Sequence, residues 1–310
     1  MATLFSSNIL GFVRDRLMAQ KLPAYLTDIY FNAFRLPDFI FTVFILGTVT
    51  TAFLPIFTKL QERSGQEAAN RLASQVLANF AWLLLALTAI LYLAMPNLAP
   101  LISPFAEPDR QLLLIQASRL LLLQPIIFSL SYLVGSILNA RKYFLANSIA
   151  PLVYNLTIIL FIYFGADRFG LAAIIYGVLA GAILHLAIQL PSLFASGFRL
   201  IWPVVTEAHS AGPLKEILAL AWPRTLQLLL GQLVILYFAR LAAGLPAGSV
   251  AALTYADNIQ TVPTVIFGNS LALASFPYLA EAAVRIDVSL MKSRRLNPPQ
   301  QEDSVAQFDF

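Results

Sequence analysis

Long apolar runs separated by short polar joins fill the sequence from its start to about residue 283. A membrane-spanning helix needs roughly 20 mainly apolar residues, and about eight runs approach that length. The last two runs contain Pro223, Pro263 and Pro277, and such prolines are tolerated where protein or water satisfies the carbonyl that each one frees. The pattern therefore predicts an all-α polytopic membrane protein. The predicted spans cover residues 2–19, 31–57, 76–95, 112–138, 145–164, 171–194, 214–241 and 250–283.

The composition strengthens the membrane prediction and excludes several kinds of site. Hydrophobic residues make up 59% of the chain and charged residues only 12%, with a mean hydropathy of +0.75, a balance that soluble domains do not have. The sequence contains no cysteine and only two histidines, His185 and His209. It therefore predicts no disulfide, no metal site and no cofactor, and no lysine lies in a phosphate-binding loop.

Basic residues in the joins predict the orientation, because Lys and Arg flanking membrane helices stay in the cytoplasm. Alternate joins carry very different numbers of them, which places the N-terminus and the C-terminal tail in the cytoplasm. The net charge of +4 is mainly this topology signal and does not indicate nucleic-acid binding. The richer set is Lys59, Arg63, Arg71, Arg141, Lys142, Arg199, Lys215, Arg285, Lys292, Arg294 and Arg295; the other joins hold Lys21, Arg110, Arg168 and Arg240.

An internal repeat predicts two lobes. The segment Arg16–Ala24 is echoed by Arg240–Ala247, and Pro37–Phe41 is echoed by Pro263–Phe267. Helices one and two thus correspond to helices seven and eight, an offset that preserves orientation, as in carriers built from two parallel repeats. The predicted divisions are a six-helix N-terminal lobe (1–196), an interfacial linker (197–213), the first two helices of a second lobe (214–283) and a polar cytoplasmic tail (284–310).

The second lobe holds only two predicted helices, whereas a repeat carrier places its site between two complete lobes. The expectation is a truncated carrier, and the alternative is a reduced paralogue that works with a partner.

Several charges lie inside the first two apolar runs. Arg14 and Asp15 are in the first run, and Arg35 and Asp38 are in the second. Ionisable residues in membrane helices are costly and by default mark a substrate path. The pattern favours a carrier over an enzyme.

These segments also carry a family resemblance. Leu10–Asp15, Thr27–Pro37, Ala52–Phe57, Leu245–Ser249 and Tyr255–Asp257 resemble the MurJ (MviN) family of lipid II flippases, in the multidrug/oligosaccharidyl-lipid/polysaccharide exporter superfamily. The resemblance implies a fourteen-helix carrier that moves the undecaprenyl-pyrophosphate-linked peptidoglycan precursor, lipid II, between leaflets by alternating access. It also implies a bacterial cytoplasmic membrane location, contact with membrane lipids, and cell-wall synthesis proteins as partners.

The resemblance further assigns candidate roles in an arginine-lined cavity. Arg14 matches the first-helix Arg-Asp pair and is the main candidate for phosphate contact, with Asp15 orienting it. The alternative is an interfacial pair that merely ends the first helix. Asp28 matches the Thr-Asp motif and is expected to make a gating contact, and Asp257 matches the eighth-helix motif as a substrate-binding residue.

Other charged residues have expected roles of a different kind. Arg35 and Asp38 are expected to cap and anchor the second helix rather than touch ligand. Arg224 follows Pro223, where a broken helix exposes backbone, and is a further substrate-binding candidate. Arg119 is expected to face another helix or to reach the interface.

Three positions depart from the family pattern. Asn8, Thr42 and Asn258 are neutral where the family has arginines, and losing charges from a low-dielectric cavity weakens attraction to pyrophosphate. Three functions stay open: a lipid II flippase, an exporter of another polyprenyl-linked glycan, and a structural or regulatory paralogue without transport.

Overall fold

The computed structural model describes residues 2–47, 52–105, 107–201 and 208–264, together with Gly268, Leu271 and Ser275. Regular structure in these residues is helical throughout. The α-helices are α1 (Ala2–Lys21), α2 (Ala24–Ile40), α3 (Leu54–Ile102), α4 (Pro108–Leu121), α5 (Gln124–Ala140), α6 (Phe144–Phe169), α7 (Leu171–Ala187), α8 (Leu190–Ala195), α9 (Ala208–Ala243) and α10 (Ser249–Pro263).

Six helical passes within the described part of the chain are long and apolar enough to cross a membrane, which confirms an all-helical, multi-pass membrane protein. The count of eight stays a prediction. The first apolar run forms α1, which is not one of the six, and residues 276–283 of the eighth run lie outside the described residues. The six passes are Ala24–Leu46, Leu54–Ile102, Pro108–Ala140, Phe144–Phe169, Leu171–Ala195 and Lys215–Ala243.

The second pass begins earlier than the sequence predicts. Hydropathy placed its start near residue 31, whereas α2 begins at Ala24 and buries Thr27 and Asp28 in its first turns. Polar side chains there lower the local hydropathy, but contacts with other helices satisfy them. Beyond Ile40 the pass continues as π-helical turns over Phe41–Leu46, a feature that often occurs at functional sites.

Small residues allow α6 and α7 to pack closely. A Cβ atom on Gly177 would lie 2.6 Å from the Cβ of Phe161, and one on Gly181 would lie 2.9 Å from the Tyr154 ring. This is the small-residue packing that the Gly177–Gly181 spacing indicates. The buried His185 of α7 lies 2.7 Å from the Ser131 hydroxyl of α5, so this histidine makes an interhelical hydrogen bond.

Arg141 connects the chain after α8 to helix α3. Its guanidinium donates to the Ser196 carbonyl at 3.1 Å and to the Asn70 side chain of α3 at 2.6 Å. It also lies over the ring of Phe198. Partial burial lowers the pKa of Arg141 from its ordinary value, but an arginine stays protonated at neutral pH. The start of the predicted linker is thus held against the N-terminal helices.

The chain forms two compact units, Met1–Thr254 and Tyr255–Phe310. The first contains α1 to α9 and the first turns of α10. The four-part division drawn from the sequence stays a prediction. Residues 202–207 of its linker and all of its tail (284–310) lie outside the described residues.

Candidate substrate site and gate

Arg14 lies in the middle of α1 and is held by two other side chains. Its Nε and Nη2 atoms donate to one oxygen of Asp15 at 2.9 and 2.7 Å, and Nη1 donates to the Asn155 side-chain oxygen of α6 at 3.3 Å. The helix continues to Lys21, so the pair does not end it. The Arg14 side chain is 20% exposed and that of Asp15 is 9% exposed. The guanidinium has five N–H groups, so it keeps donors for an anionic ligand.

Asn155 is the site residue that sequence reasoning missed. In the sequence it begins a match to the glycosylation sequon within an apolar span. In the structure its amide nitrogen donates to the Ser7 hydroxyl at 3.2 Å and its side-chain oxygen accepts from Arg14. It therefore positions Arg14 from a helix more than a hundred residues away in sequence. A polar side chain inside an apolar helix was the available signal, because such groups are normally hydrogen-bonded.

Arg35 and Asp38 lie inside the continuous pass Ala24–Leu46, so they do not cap a helix end. Arg35 donates through Nη2 to the Thr254 hydroxyl of α10 at 3.1 Å. Asp38 is exposed and lies within electrostatic range of Arg35 and Arg14. The expectation that these residues cap the second helix fails because the π-helical turns prolong the pass beyond them.

Asp28 makes a buried contact between α2 and the start of α10. It is 3% exposed, and its two carboxylate oxygens accept from the backbone N–H groups of Gly248, at 2.6 Å, and Ala251, at 2.8 Å. Gly248 directly precedes α10 and Ala251 is in its first turn, so both N–H groups lie at the helix N-terminus, where a helix has unsatisfied donors and a positive dipole end. An acid on α2 therefore caps a helix 220 residues further along the chain.

The remaining candidates, Arg224 and Asp257, each make a hydrogen bond with a residue of their own helix. Arg224 is exposed on α9 and donates to Gln227 of its own helix at 2.7 Å. Asp257 is exposed and belongs to the second compact unit, where its backbone carbonyl accepts from Thr261. In the described residues no group of three or more His, Cys, Asp or Glu side chains is arranged to hold a metal ion.

The family of this membrane protein follows from comparison with known proteins. A family model described as lipid II flippase MurJ matches residues 23–295. The chain belongs to the MurJ family. That match includes Asp28 and the α9–α10 join that it contacts.

Curated relatives agree with the family assignment. A probable lipid II flippase MurJ of Rhizobium tropici is 31% identical over 292 residues, covering 91% of this chain and 54% of that protein. The lipid II flippase MurJ of Burkholderia cenocepacia is 26% identical, covering 91% of this chain and 56% of that protein. The chain spans about half the length of the curated MurJ relatives it matches.

Solved structures support the same fold. An inward closed conformation of lipid II flippase MurJ superposes with a TM-score of 0.68 at 22% identity, covering 86% of this chain and 55% of that one. An inward-facing multidrug resistance MATE transporter of the MOP superfamily superposes with a TM-score of 0.71 at 17% identity, covering 83% and 59%.

Proposed function

We propose that this chain supplies the first lobe and the opening helices of the second lobe of a lipid II flippase. It would move the undecaprenyl-pyrophosphate-linked peptidoglycan precursor from the inner to the outer leaflet of the bacterial cytoplasmic membrane by alternating access. The family match over residues 23–295 carries the proposal. The proposed orientation keeps the N-terminus in the cytoplasm, as the basic joins predict.

Arg14 is the proposed phosphate ligand. Its planar guanidinium matches phosphate oxygens, and such charge-assisted bonds are strong where water is excluded. Asp15 neutralises part of the charge before substrate arrives, while Asn155 fixes the guanidinium's position. Arg35 and Asp38 lie one helical turn apart on α2, and Asp38 interacts electrostatically with both Arg35 and Arg14.

The proposed alternating access uses two contacts with the helices after residue 208. Asp28 caps the N-terminal end of α10. Near the start of α9, Glu216 pairs with Lys59 of α3 at 3.3 Å. The proposed orientation places the Asp28 contact on the outer side and the Lys59–Glu216 pair on the cytoplasmic side. Each side must open in turn, so the Asp28 contact breaks when the carrier faces outward.

A second candidate function is export of another polyprenyl-linked glycan. The neutral residues Asn8, Thr42 and Asn258 favour it, since each replaces an arginine of the family pattern and reduces the positive charge available for pyrophosphate. A structural or regulatory role without transport is the third candidate. As part of the flippase proposal, we also propose cell-wall synthesis proteins as partners of this protein.

A binding competition separates these candidates. Purified protein is titrated with lipid II and with an undecaprenyl-monophosphate-linked glycan that carries no peptide. A lipid II flippase should bind lipid II about ten-fold more tightly, a difference of about 1.4 kcal/mol. Tighter binding of the other glycan would support the second candidate and contradict the first. Binding of neither by well-folded protein would favour the structural role.

A further inference from the structure

A proline in α3 leaves a backbone carbonyl without its helical partner. Pro96 has no N–H group, so it cannot donate to the carbonyl of Tyr92 one turn earlier. Arg119 of α4 takes that role, since its Nε donates to the Tyr92 carbonyl at 3.0 Å. The guanidinium carbon also lies 4.7 Å from the centre of the Tyr92 ring, in cation–π range. The arginine is thereby fixed in one orientation.

Most of the hydrogen-bonding capacity of Arg119 remains unused in this arrangement. One of its five N–H groups serves the Tyr92 carbonyl. In the described part of the chain no carboxylate lies within ion-pair distance of Arg119, whereas Arg14 has Asp15. The Arg119 side chain is only half-buried, so a further partner can reach it from outside the protein.

The surroundings of Arg119 are those of a lipid-facing surface. It lies within the apolar pass Pro108–Ala140, about 16 Å along the helix from Pro108 at 1.5 Å per residue. Leu93 of α3 and Leu120 of α4 are exposed nearby in sequence, as is Leu123 in the short join after α4. A charge at such a depth is costly unless it is paired or reaches the headgroup layer.

We propose that Arg119 and Tyr92 form a binding site for the phosphate of an anionic phospholipid in the surrounding membrane. The guanidinium donates to the phosphate oxygens, the Tyr92 ring supports the guanidinium, and the lipid chains cover the neighbouring leucines. The phosphate supplies the negative charge that the described protein does not provide. The site is separate from the Arg14 cluster on α1 and α6 and does not depend on which substrate is carried.

The test is a titration of the purified protein with phosphatidylglycerol, followed by native mass spectrometry. Arg119→Gln should weaken phosphatidylglycerol binding about ten-fold, because it removes the charge-assisted bonds to the phosphate. Phosphatidylethanolamine should bind the wild type more weakly, since it has no net negative charge. Inorganic phosphate and lipid II at the same concentrations should not displace phosphatidylglycerol.

Two controls separate lipid binding from general charge and from helix stability. Arg168→Gln removes an exposed arginine from the last turn of α6 and should change binding less than two-fold, an order-of-magnitude expectation for a solvated charge. Pro96→Ala returns an N–H donor to the Tyr92 carbonyl, so Pro96→Ala combined with Arg119→Gln should fold stably and still lose phosphatidylglycerol.

Three results would overturn the proposal. One is wild-type affinity in the double variant, which would mean that Arg119 serves only the Tyr92 carbonyl. Another is an equal loss in the Arg168 variant, which would indicate unspecific surface charge. The third is displacement of phosphatidylglycerol by lipid II or inorganic phosphate, which would assign the phosphate to another source.

Discussion

Arg14→Gln should weaken lipid II binding at least about ten-fold, since a hydrogen bond to a charged group contributes roughly 1.5 to 3 kcal/mol. The variant removes the guanidinium that Asn155 and Asp15 hold in place, while leaving a polar side chain of moderate length. The dissociation constant of lipid II from purified protein is the measurement. Asp15→Asn should retain binding or strengthen it, because it removes the negative charge that competes with pyrophosphate.

Arg16→Gln is the matched control for Arg14. Arg16 is an exposed arginine two positions later on the same helix, so its loss tests whether any charge on α1 would serve. Equal weakening by both variants would refute a specific role for Arg14. Thermal unfolding in the same detergent shows whether a lost affinity reflects lost structure.

Asp28→Ala should open the contact between α2 and α10. It removes two hydrogen bonds to a helix N-terminus, a cap typically contributing about 0.5 to 2 kcal/mol. The ratio of closed to open molecules should therefore fall by up to about 30-fold. Asp28→Asn should have a smaller effect, because its carbonyl oxygen can still accept one bond.

The absence of cysteine from the sequence makes this opening measurable. Ala251→Cys places a thiol at a position that is 6% exposed, and its labelling rate by a membrane-impermeant maleimide reports opening. Labelling should accelerate when Asp28→Ala is added. Asp109→Ala is the matched control, since Asp109 is an exposed acid in the first turn of its own helix α4. Unchanged labelling in the Asp28 variant would show that this contact does not hold the gate closed.

The sequence predicts the helical membrane architecture because burial in lipid leaves a strong average signal over about 20 residues. The same averaging fails at the start of α2. Thr27 and Asp28 are polar but buried, and what satisfies Asp28 is the first turn of a helix that begins at Ser249. Hydropathy contains no information about such a distant partner.

The candidate site was predictable only in part for the same reason. The adjacent pair Arg14 and Asp15 is visible in the sequence, and the structure confirms that the two side chains bind each other. Their partner Asn155 is 141 positions away, so no local pattern connects it to them. For the Arg119 contact, the sequence shows that Pro96 leaves the Tyr92 carbonyl without a helical donor. It does not show that Arg119 is the donor, because the packing of α3 against α4 decides that.

Complementation tests the flippase proposal most directly. The complete gene product is expressed in a strain depleted of its own lipid II flippase, with membrane levels checked by immunoblot. We expect the wild type to restore growth and Arg14→Gln at the same level to fail. Failure of the wild type to restore growth, at a membrane level at which an established lipid II flippase succeeds, would contradict lipid II transport.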